Sequence, residues 1–201
     1  MKLILFSGFL GAGKTTSILS AAAFLMRNAR GQNPLVILEN EIGDIAYDEV
    51  LLQSGGLEVR NLLSGCICCT LSLNLIEELI EIERKYEPEF IIFEPTGAAF
   101  PQRIMESVSM SNVQLEGATI VTVVDAQRLD KLMTIVPNLI GGQIASADAI
   151  LISKTDLVSE AQEEEAMETI QAHNAKAVIR KSPFGSLDAD ALWEEVLGSN
   201  G

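Results

Sequence analysis

The chain has 201 residues, of which 48% are apolar and 21% charged, a composition typical of folded globular proteins that excludes disordered, collagen-like and low-complexity classes. A chain of this length forms one core, so we expect a single domain over residues 1–197 and a frayed tail at 198–201. The 28 Asp and Glu residues outnumber 14 Lys and Arg residues, and the net charge of −14 opposes binding to nucleic acid.

Short apolar runs rich in β-branched residues predict buried strands, in chain order, at 3–6, 35–38, 90–93, 119–124, 149–152 and 177–179. Segments with helical periodicity lie between these runs, and the clearest are 14–28, 73–86, 101–110, 159–173 and 187–197. Strands separated by helices indicate an α/β fold with a mostly parallel central sheet. The stretch 39–60 is less regular, and a small hairpin at Gly55-Gly56 is one interpretation of it.

The first predicted strand turns to glycine too early for a signal peptide, and no apolar run approaches the length of a membrane span. All three cysteines lie between positions 66 and 69, a spacing unlike that of the disulfide frameworks of secreted proteins. We therefore expect a cytoplasmic protein with reduced thiols and no contact with membranes.

The first predicted strand leads into Gly8-Phe9-Leu10-Gly11-Ala12-Gly13-Lys14-Thr15, which matches the phosphate-loop pattern G-x-x-x-x-G-K-[ST] in its strand-to-helix context. Glycines let backbone N–H groups turn towards nucleotide phosphates, the Lys14 ammonium reaches the β- and γ-phosphates, and the Thr15 hydroxyl is a ligand for Mg²⁺. A dinucleotide-binding loop is disfavoured because Thr16 occupies the place of its third glycine. The motif predicts a three-layer P-loop nucleoside triphosphatase fold with nucleotide ligands Gly8, Gly11, Ala12, Gly13, Lys14 and Thr15.

Ser153-Lys154-Thr155-Asp156 follows the predicted strand 149–152, where a GTPase has the base-reading motif N-K-x-D. The Asp156 carboxylate can accept hydrogen bonds from N1–H and the 2-amino group of guanine, so we predict Lys154 and Asp156 as guanine-nucleotide ligands. A helix cap is the alternative role for Asp156. The turn 180–183 is open to two interpretations: an ordinary turn, or the other wall of the base pocket, which would make Ser182 a nucleotide ligand.

Glu94-Pro95-Thr96-Gly97 puts a carboxylate at the carboxyl end of the predicted strand 90–93, where open α/β sheets bind ligands. We predict that Glu94 orients the attacking water or a water on Mg²⁺, that Lys14 is the second catalytic group, and that Gly97 responds to the γ-phosphate. A simple strand-ending turn is the alternative. Asp125, after the run 119–124, is predicted to be a helix cap rather than a ligand.

Cys66, Cys68 and Cys69 lie close together before a predicted helix, and three thiolates at this spacing favour Zn²⁺ or another transition metal such as Co²⁺. The fourth ligand could be water, a carboxylate of Glu39 or Glu41, or a group from a second subunit. Redox-active thiols and small buried apolar side chains are the alternatives for this cluster.

Together these motifs resemble the CobW-like metallochaperone GTPases, SIMIBI-class P-loop GTPases related to the nickel-inserting GTPases of urease and hydrogenase maturation. The resemblance runs from Met1 to about Ser182 and rests on GFLGAGKTT at 8–16, ENEIG at 39–43, GCICCTL at 65–71, EPTG at 94–97, VVDA at 123–126 and SKTDL at 153–157.

The resemblance implies a hydrolase that binds GTP or GDP with Mg²⁺, with Thr16 as a further nucleotide ligand. It also implies that the nucleotide state alters the cysteine metal site, with Glu39 or Glu41 near the Mg²⁺ or the transferred metal. Three features depart from the family pattern. Ser153 replaces the usual Asn, the turn after Glu94 lacks an aspartate, and the sequence ends where relatives continue through a His-rich linker, so we expect a G domain alone.

The leading hypothesis is a metallochaperone or metal-insertion protein in which GTP and Mg²⁺ order residues 39–48 and bring the cysteines into a metal-holding geometry. No arginine finger is evident, so we expect slow hydrolysis unless a client metalloprotein, its maturation factor or a nucleotide-dependent homodimer supplies the missing charge. The alternatives are a GTP-dependent regulator whose thiols sense oxidation and, with less support, a small-molecule kinase.

Overall fold

One parallel sheet organises residues 1–28, 34–39, 57–61, 70–181 and 189–198, which are the residues that the computed structural model describes. The strands are β1 (Lys2–Ser7), β2 (Leu35–Glu39), β3 (Leu57–Asn61), β4 (Phe90–Glu94), β5 (Gly117–Asp125), β6 (Ala149–Ser153) and β7 (Val178–Lys181). In the sheet they follow the order β3-β2-β4-β1-β5-β6-β7, and each neighbouring pair runs parallel. The predicted parallel sheet is confirmed.

Helices flank this sheet, and most of those in the described part of the chain lie in the connections between its parallel strands. Within the described part of the chain they are α1 (Lys14–Asn28), α2 (Thr70–Tyr86), α3 (Pro101–Ser109), α4 (Leu129–Ile135), α5 (Pro137–Ala145), α6 (Glu160–His173) and α7 (Ala189–Gly198). Helix α6 begins with a capping box, in which the Ser159 hydroxyl accepts the Gln162 N–H and the Gln162 side chain accepts the Ser159 N–H. None of these described helices is long and apolar enough to span a membrane.

The core lies on both faces of the sheet, because successive strand residues point to opposite sides. Ile4 and Phe6 of β1 pack with α1 and α7, where Trp193 is fully buried. Leu3 and Leu5 of the same strand pack on the other face with α2 and α3. Helices α4, α5 and α6 cover the rest of that second face, above β5 and β6. The sheet is therefore the middle of three layers, as predicted.

The region between β2 and α2 differs most from the sequence prediction. Residues 57–61 form a strand that pairs in parallel with β2, with Leu35 opposite Leu57 and Glu39 opposite Asn61. The hairpin turn suggested at Gly55-Gly56 lies outside the described residues. Strand β3 alternates apolar and polar residues and occupies the sheet edge, so its sequence lacks the continuous apolar run of a central parallel strand.

Candidate functional site

The phosphate-loop sequence forms the connection from β1 to α1, with Lys14 as the first residue of the helix. Gly8, Gly11 and Gly13 have φ angles of 138°, 71° and 96°, a region that favours glycine. A Cβ atom on Gly8 would lie 2.3 Å from the Val123 carbonyl oxygen of β5, so a side chain at this position would displace backbone. The loop therefore needs its glycines for both conformation and close packing. Helix α1 begins at the end of the loop, so its first N–H groups lie at this edge of the sheet.

Lys14 contacts one strand-end carboxylate beside this loop, and a second strand-end carboxyl residue is the neighbour of the first in the sheet. Its Nζ atom lies 3.4 Å from Glu94 Oε1, and the side chains of Lys14 and Glu94 are only 6% and 15% exposed. Glu94 ends β4 and stands opposite Glu39, the buried last residue of β2, in the parallel register. The structure thus brings together Lys14, Glu94 and Glu39, three of the residues predicted from sequence, at the carboxyl edge of adjacent strands.

The turn after Glu94 packs directly on the phosphate loop. A Cβ atom on Gly97 would lie 2.8 Å from the Leu10 backbone nitrogen, so only glycine permits this approach without movement. The buried side-chain amide of Gln143 donates hydrogen bonds to the carbonyl oxygens of Gly97 (3.1 Å) and Ala99 (3.0 Å). Helix α5 therefore anchors the turn that the sequence analysis expected to respond to a γ-phosphate.

The predicted base-reading motif follows β6 and is attached to the phosphate loop. The buried Ser153 hydroxyl donates to the Ala12 carbonyl oxygen at 2.6 Å and lies 3.2 Å from the carbonyl oxygen of Val124. Lys154 has a left-handed backbone conformation, with φ 58° and ψ 32°. Asp156 follows in a short 3₁₀ helix and its side chain is exposed. Ser153 thus ties the base motif to the loop, and Asp156 remains accessible to a ligand.

Asp125 has more partners than the predicted capping role required. Its Oδ1 atom accepts the Gln127 backbone N–H at 3.0 Å, which is a capping interaction in the turn before α4. Its Oδ2 atom also accepts Arg128 Nε at 2.6 Å and Lys154 Nζ at 2.7 Å, and the carboxylate is fully buried. Arg128 was not predicted to be a site residue, because it belongs to none of the recognised motifs.

The remaining predicted site residues divide into two groups. Thr15 is half-buried and Thr16 exposed in the first turn of α1, beside Lys14. Glu41, Cys66, Cys68, Cys69 and Ser182 lie outside the described residues. The described ranges contain no group of three or more His, Cys, Asp or Glu side chains that could hold a metal ion. The cysteine metal site and the nucleotide site both stay predictions, but the predicted nucleotide ligands other than Ser182 have described positions.

Known proteins resemble both the sequence and the fold. The family model for the CobW/HypB/UreG nucleotide-binding domain matches residues 2–180. The chain is 34% identical over 194 residues to the zinc-regulated GTPase metalloprotein activator 1 of Schizosaccharomyces pombe, covering 90% of this chain and 46% of the relative. It is 29% identical over 199 residues to the zinc chaperone YjiA of Escherichia coli, covering 94% of this chain and 59% of the relative. The chain thus spans about half the length of these curated relatives.

A solved structure supports the same assignment at the level of fold. The crystal structure of the hydrogenase maturation factor HypB from Archaeoglobus fulgidus matches with a TM-score of 0.70 at 15% sequence identity. This match covers 100% of the present chain and 91% of the HypB chain. At this identity the likeness concerns the three-layer architecture alone.

Replacing Ser153 by Ala should lower the free energy of unfolding by about 1–3 kcal/mol, because the Ala12 carbonyl loses a buried hydrogen-bond donor. Urea unfolding followed by circular dichroism measures this change. Ser107→Ala is the matched control, since the Ser107 hydroxyl also donates to a backbone carbonyl but is exposed on α3. Equal losses in the two variants would show that the Ser153 contact does not stabilise the loop.

Proposed function

Because the chain belongs to the CobW/HypB/UreG nucleotide-binding domain family, we propose that it binds and hydrolyses GTP and that its nucleotide state controls a transition-metal site. The observation that most supports this proposal is the Lys14 Nζ to Glu94 Oε1 contact of 3.4 Å at the carboxyl edge of the sheet. It puts the phosphate-loop ammonium beside a carboxylate where parallel α/β sheets bind ligands. Zinc is the metal we propose first, because two relatives are named for zinc.

Nucleotide binding would use the loop, the start of α1 and the motif after β6. Backbone N–H groups between Gly8 and Thr16 would surround the phosphates, while the Lys14 ammonium would contact the β- and γ-phosphates. The exposed Asp156 carboxylate would accept hydrogen bonds from N1–H and the 2-amino group of guanine. Lys154, adjacent in the motif, would line the same base site, and we propose Ser182 as a further nucleotide ligand.

The donor set at this edge suits Mg²⁺, which prefers oxygen ligands and binds nucleotide phosphates together with one or two protein groups. The Thr15 hydroxyl would contact the ion directly, and Glu94 or Glu39 would bind it or one of its waters. Bound Mg²⁺ neutralises charge on the β- and γ-phosphates. The protein's own contribution is the Glu94 carboxylate beside the Lys14 ammonium, with Glu39 as the neighbouring strand-end residue and Thr15 next to Lys14 in the chain.

Glu94 would change its role when a nucleotide binds. A polyphosphate attracts the Lys14 ammonium more strongly than a single carboxylate does, because it carries more negative charge. As Lys14 turns to the phosphates, the Glu94 carboxylate can orient a water molecule for attack on the γ-phosphate. Gly97 packs so closely on the loop that a Cβ atom would lie 2.8 Å from the Leu10 nitrogen. A γ-phosphate bound at the loop would therefore affect the turn that contains Gly97.

The metal site would be coupled to the nucleotide site through the strand ends. Cys66, Cys68 and Cys69 belong to the segment between β3 and α2, and β3 ends at Asn61, opposite Glu39 in the register. Glu39 itself stands opposite Glu94. A nucleotide-dependent change at these carboxylates would therefore act on the segment that contains the thiols, with Glu39 or Glu41 as a candidate fourth ligand.

Hydrolysis by the chain alone should be slow, and a partner should complete the site. A client metalloprotein, its maturation factor or a second copy of the chain would supply the positive charge that stabilises the transition state, since no arginine finger is evident in the sequence. Metal release would then follow hydrolysis only when the receiving protein is present. This coupling would prevent loss of zinc to other ligands in the cell.

We expect Lys14→Ala to abolish measurable GTP binding, a loss of more than about 100-fold, because the phosphates lose a charge-assisted hydrogen bond beside the loop. Equilibrium titration with a fluorescent GTP analogue measures the affinity. Lys176→Ala, which removes an exposed lysine before β7, is the control and should bind as the parent protein does. Unchanged affinity in Lys14→Ala would contradict the phosphate-loop assignment.

Asp156→Asn should shift the preference from guanine towards xanthine nucleotides, because the amide donates a hydrogen bond where the carboxylate accepted one. We expect at least about a tenfold reversal in the ratio of GTP to XTP affinity. The measurement is competition of each nucleotide with a fluorescent analogue. Asp130→Asn, on helix α4, is a control of the same chemistry outside the base motif. Retained GTP selectivity would remove Asp156 from the base pocket.

The reduced protein should bind Zn²⁺ stoichiometrically with a non-hydrolysable GTP analogue and Mg²⁺, and about tenfold or more weakly with GDP. Competition with a chromophoric chelator measures both affinities, and Co²⁺ gives a spectroscopic test of thiolate ligands. Replacement of Cys66, Cys68 and Cys69 by Ser should abolish binding in both states. Equal, weak binding in both nucleotide states would instead favour the regulator whose thiols sense oxidation.

A further inference from the structure

Arg128 connects the tip of the phosphate loop to a buried carboxylate. Its Nη2 atom donates to the Leu10 carbonyl oxygen at 2.8 Å, and its Nε atom donates to Asp125 Oδ2 at 2.6 Å. The Asp125 side chain is fully buried, whereas the Arg128 side chain is 36% exposed. One guanidinium therefore joins a fixed point at the end of β5 to a backbone group of the loop 118 residues away.

Asp125 is itself held from several directions. Its Oδ1 atom accepts the Gln127 N–H at 3.0 Å, and its Oδ2 atom accepts Lys154 Nζ at 2.7 Å as well as Arg128 Nε. Charge-assisted hydrogen bonds of this kind are stronger and shorter than neutral ones, and they are strongest away from water. The carboxylate is consequently a rigid support for the Arg128 guanidinium.

The backbone of Leu10 is also contacted by the turn after β4. Gly97 approaches the Leu10 nitrogen so closely that a Cβ atom would lie 2.8 Å from it. Arg128 also lies alongside Gly11, where a Cβ atom would be 3.4 Å from Nη2. The loop tip is thus enclosed between the turn that contains Gly97 and the guanidinium of Arg128.

We propose that Arg128 is a positioning residue for nucleotide binding, which orients a phosphate-binding N–H of the loop by holding the Leu10 carbonyl oxygen. The peptide bond between Leu10 and Gly11 is planar and trans, so its C=O and N–H groups point in opposite directions. Fixing the direction of the Leu10 carbonyl therefore also fixes the direction of the Gly11 N–H, one of the loop donors that we propose for the phosphates. This inference rests on the proposed function, since it assigns a role at the same nucleotide site.

Arginine suits this role better than lysine. The planar guanidinium presents several N–H donors in a fixed arrangement, so it can bind Asp125 and the Leu10 carbonyl simultaneously. Less side-chain entropy is therefore lost for each hydrogen bond that it forms. A lysine ammonium would retain the positive charge but would have to choose between the two acceptors or bind both with poorer geometry. The charge and the geometry can therefore be separated by experiment.

The test compares Arg128→Ala, Arg128→Lys and the control Arg27→Ala, whose arginine pairs with Asp190 on the exposed surface of α1 and α7. Affinities for GTP, GDP and inorganic tripolyphosphate are measured by competition, and circular dichroism confirms that each variant is folded. We expect Arg128→Ala to bind all three ligands about tenfold more weakly. Arg128→Lys should remain several-fold weaker than the parent protein, and Arg27→Ala should be unchanged.

Two results would overturn the proposal. Parent-like affinity in Arg128→Ala would show that the loop is positioned without the guanidinium, and full affinity in Arg128→Lys would show that only the charge matters. If Arg128→Ala fails to fold, Arg128→Lys still decides the question, because it keeps the cation near Asp125. Failure of the parent protein and of Arg27→Ala to bind GTP would instead contradict the proposed function, so the two failures are distinguishable.

Discussion

Parallel strand direction is the constraint on which the candidate site depends. Every neighbouring pair of described strands is parallel, so all carboxyl ends fall on one edge of the sheet. Residues far apart in sequence, among them Glu39, Glu94, Asp125 and Ser153, each end a strand and therefore meet at this edge. The phosphate loop leaves β1, which lies between β4 and β5 in the sheet, and so has Glu94 on one side and Asp125 on the other.

Close backbone packing then fixes the loop between its neighbours. Gly8 lies against the Val123 carbonyl of β5, and Gly97 lies against the Leu10 nitrogen from the side of β4. Ser153 holds the Ala12 carbonyl from β6. Three neighbouring strands or their following turns thus position one loop through two close approaches that require glycine and one buried hydrogen bond, as expected for a site that must present backbone N–H groups accurately to a ligand.

The sequence allowed prediction of the elements whose signals are local. The helix predicted at 14–28 has those bounds in the structure, because its phosphate-loop start is defined by motif, and the central strands follow from continuous apolar runs. Strand β3 was not predicted as a parallel strand, because an edge position allows alternating polar residues. Helices α4 and α5 were not among the predicted helices, because both are short and because Gly141 and Gly142 weaken the helical pattern of α5.

The contacts that were not predictable depend on distant pairs. Arg128 reaches Leu10 across 118 residues, and no local pattern marks an arginine three residues after a strand as a partner of the phosphate loop. The role of Ser153 was equally hidden, since comparison with N-K-x-D suggests a missing base contact and not a hydrogen bond to Ala12. In both cases the partner is a backbone carbonyl, which almost any residue could provide, so no residue type in the sequence indicates the contact. Such contacts require tertiary structure to be seen.

Ordered cations at the sheet edge oppose the repulsion between the negatively charged chain and a nucleotide. A protein with net charge −14 repels a nucleoside triphosphate at long range. Salt screens that repulsion beyond the Debye length, which is about 8 Å at physiological ionic strength. Lys14, Arg128 and Lys154 stand at the sheet edge, where Asp125 binds the last two with one carboxylate. Asp125, Arg128 and Lys154 together carry two positive charges and one negative charge, so this cluster has a surplus of one positive charge, whereas Lys14 is paired with Glu94. Because the buried carboxylate orders both cations in advance, they have less side-chain entropy to lose when a nucleotide binds.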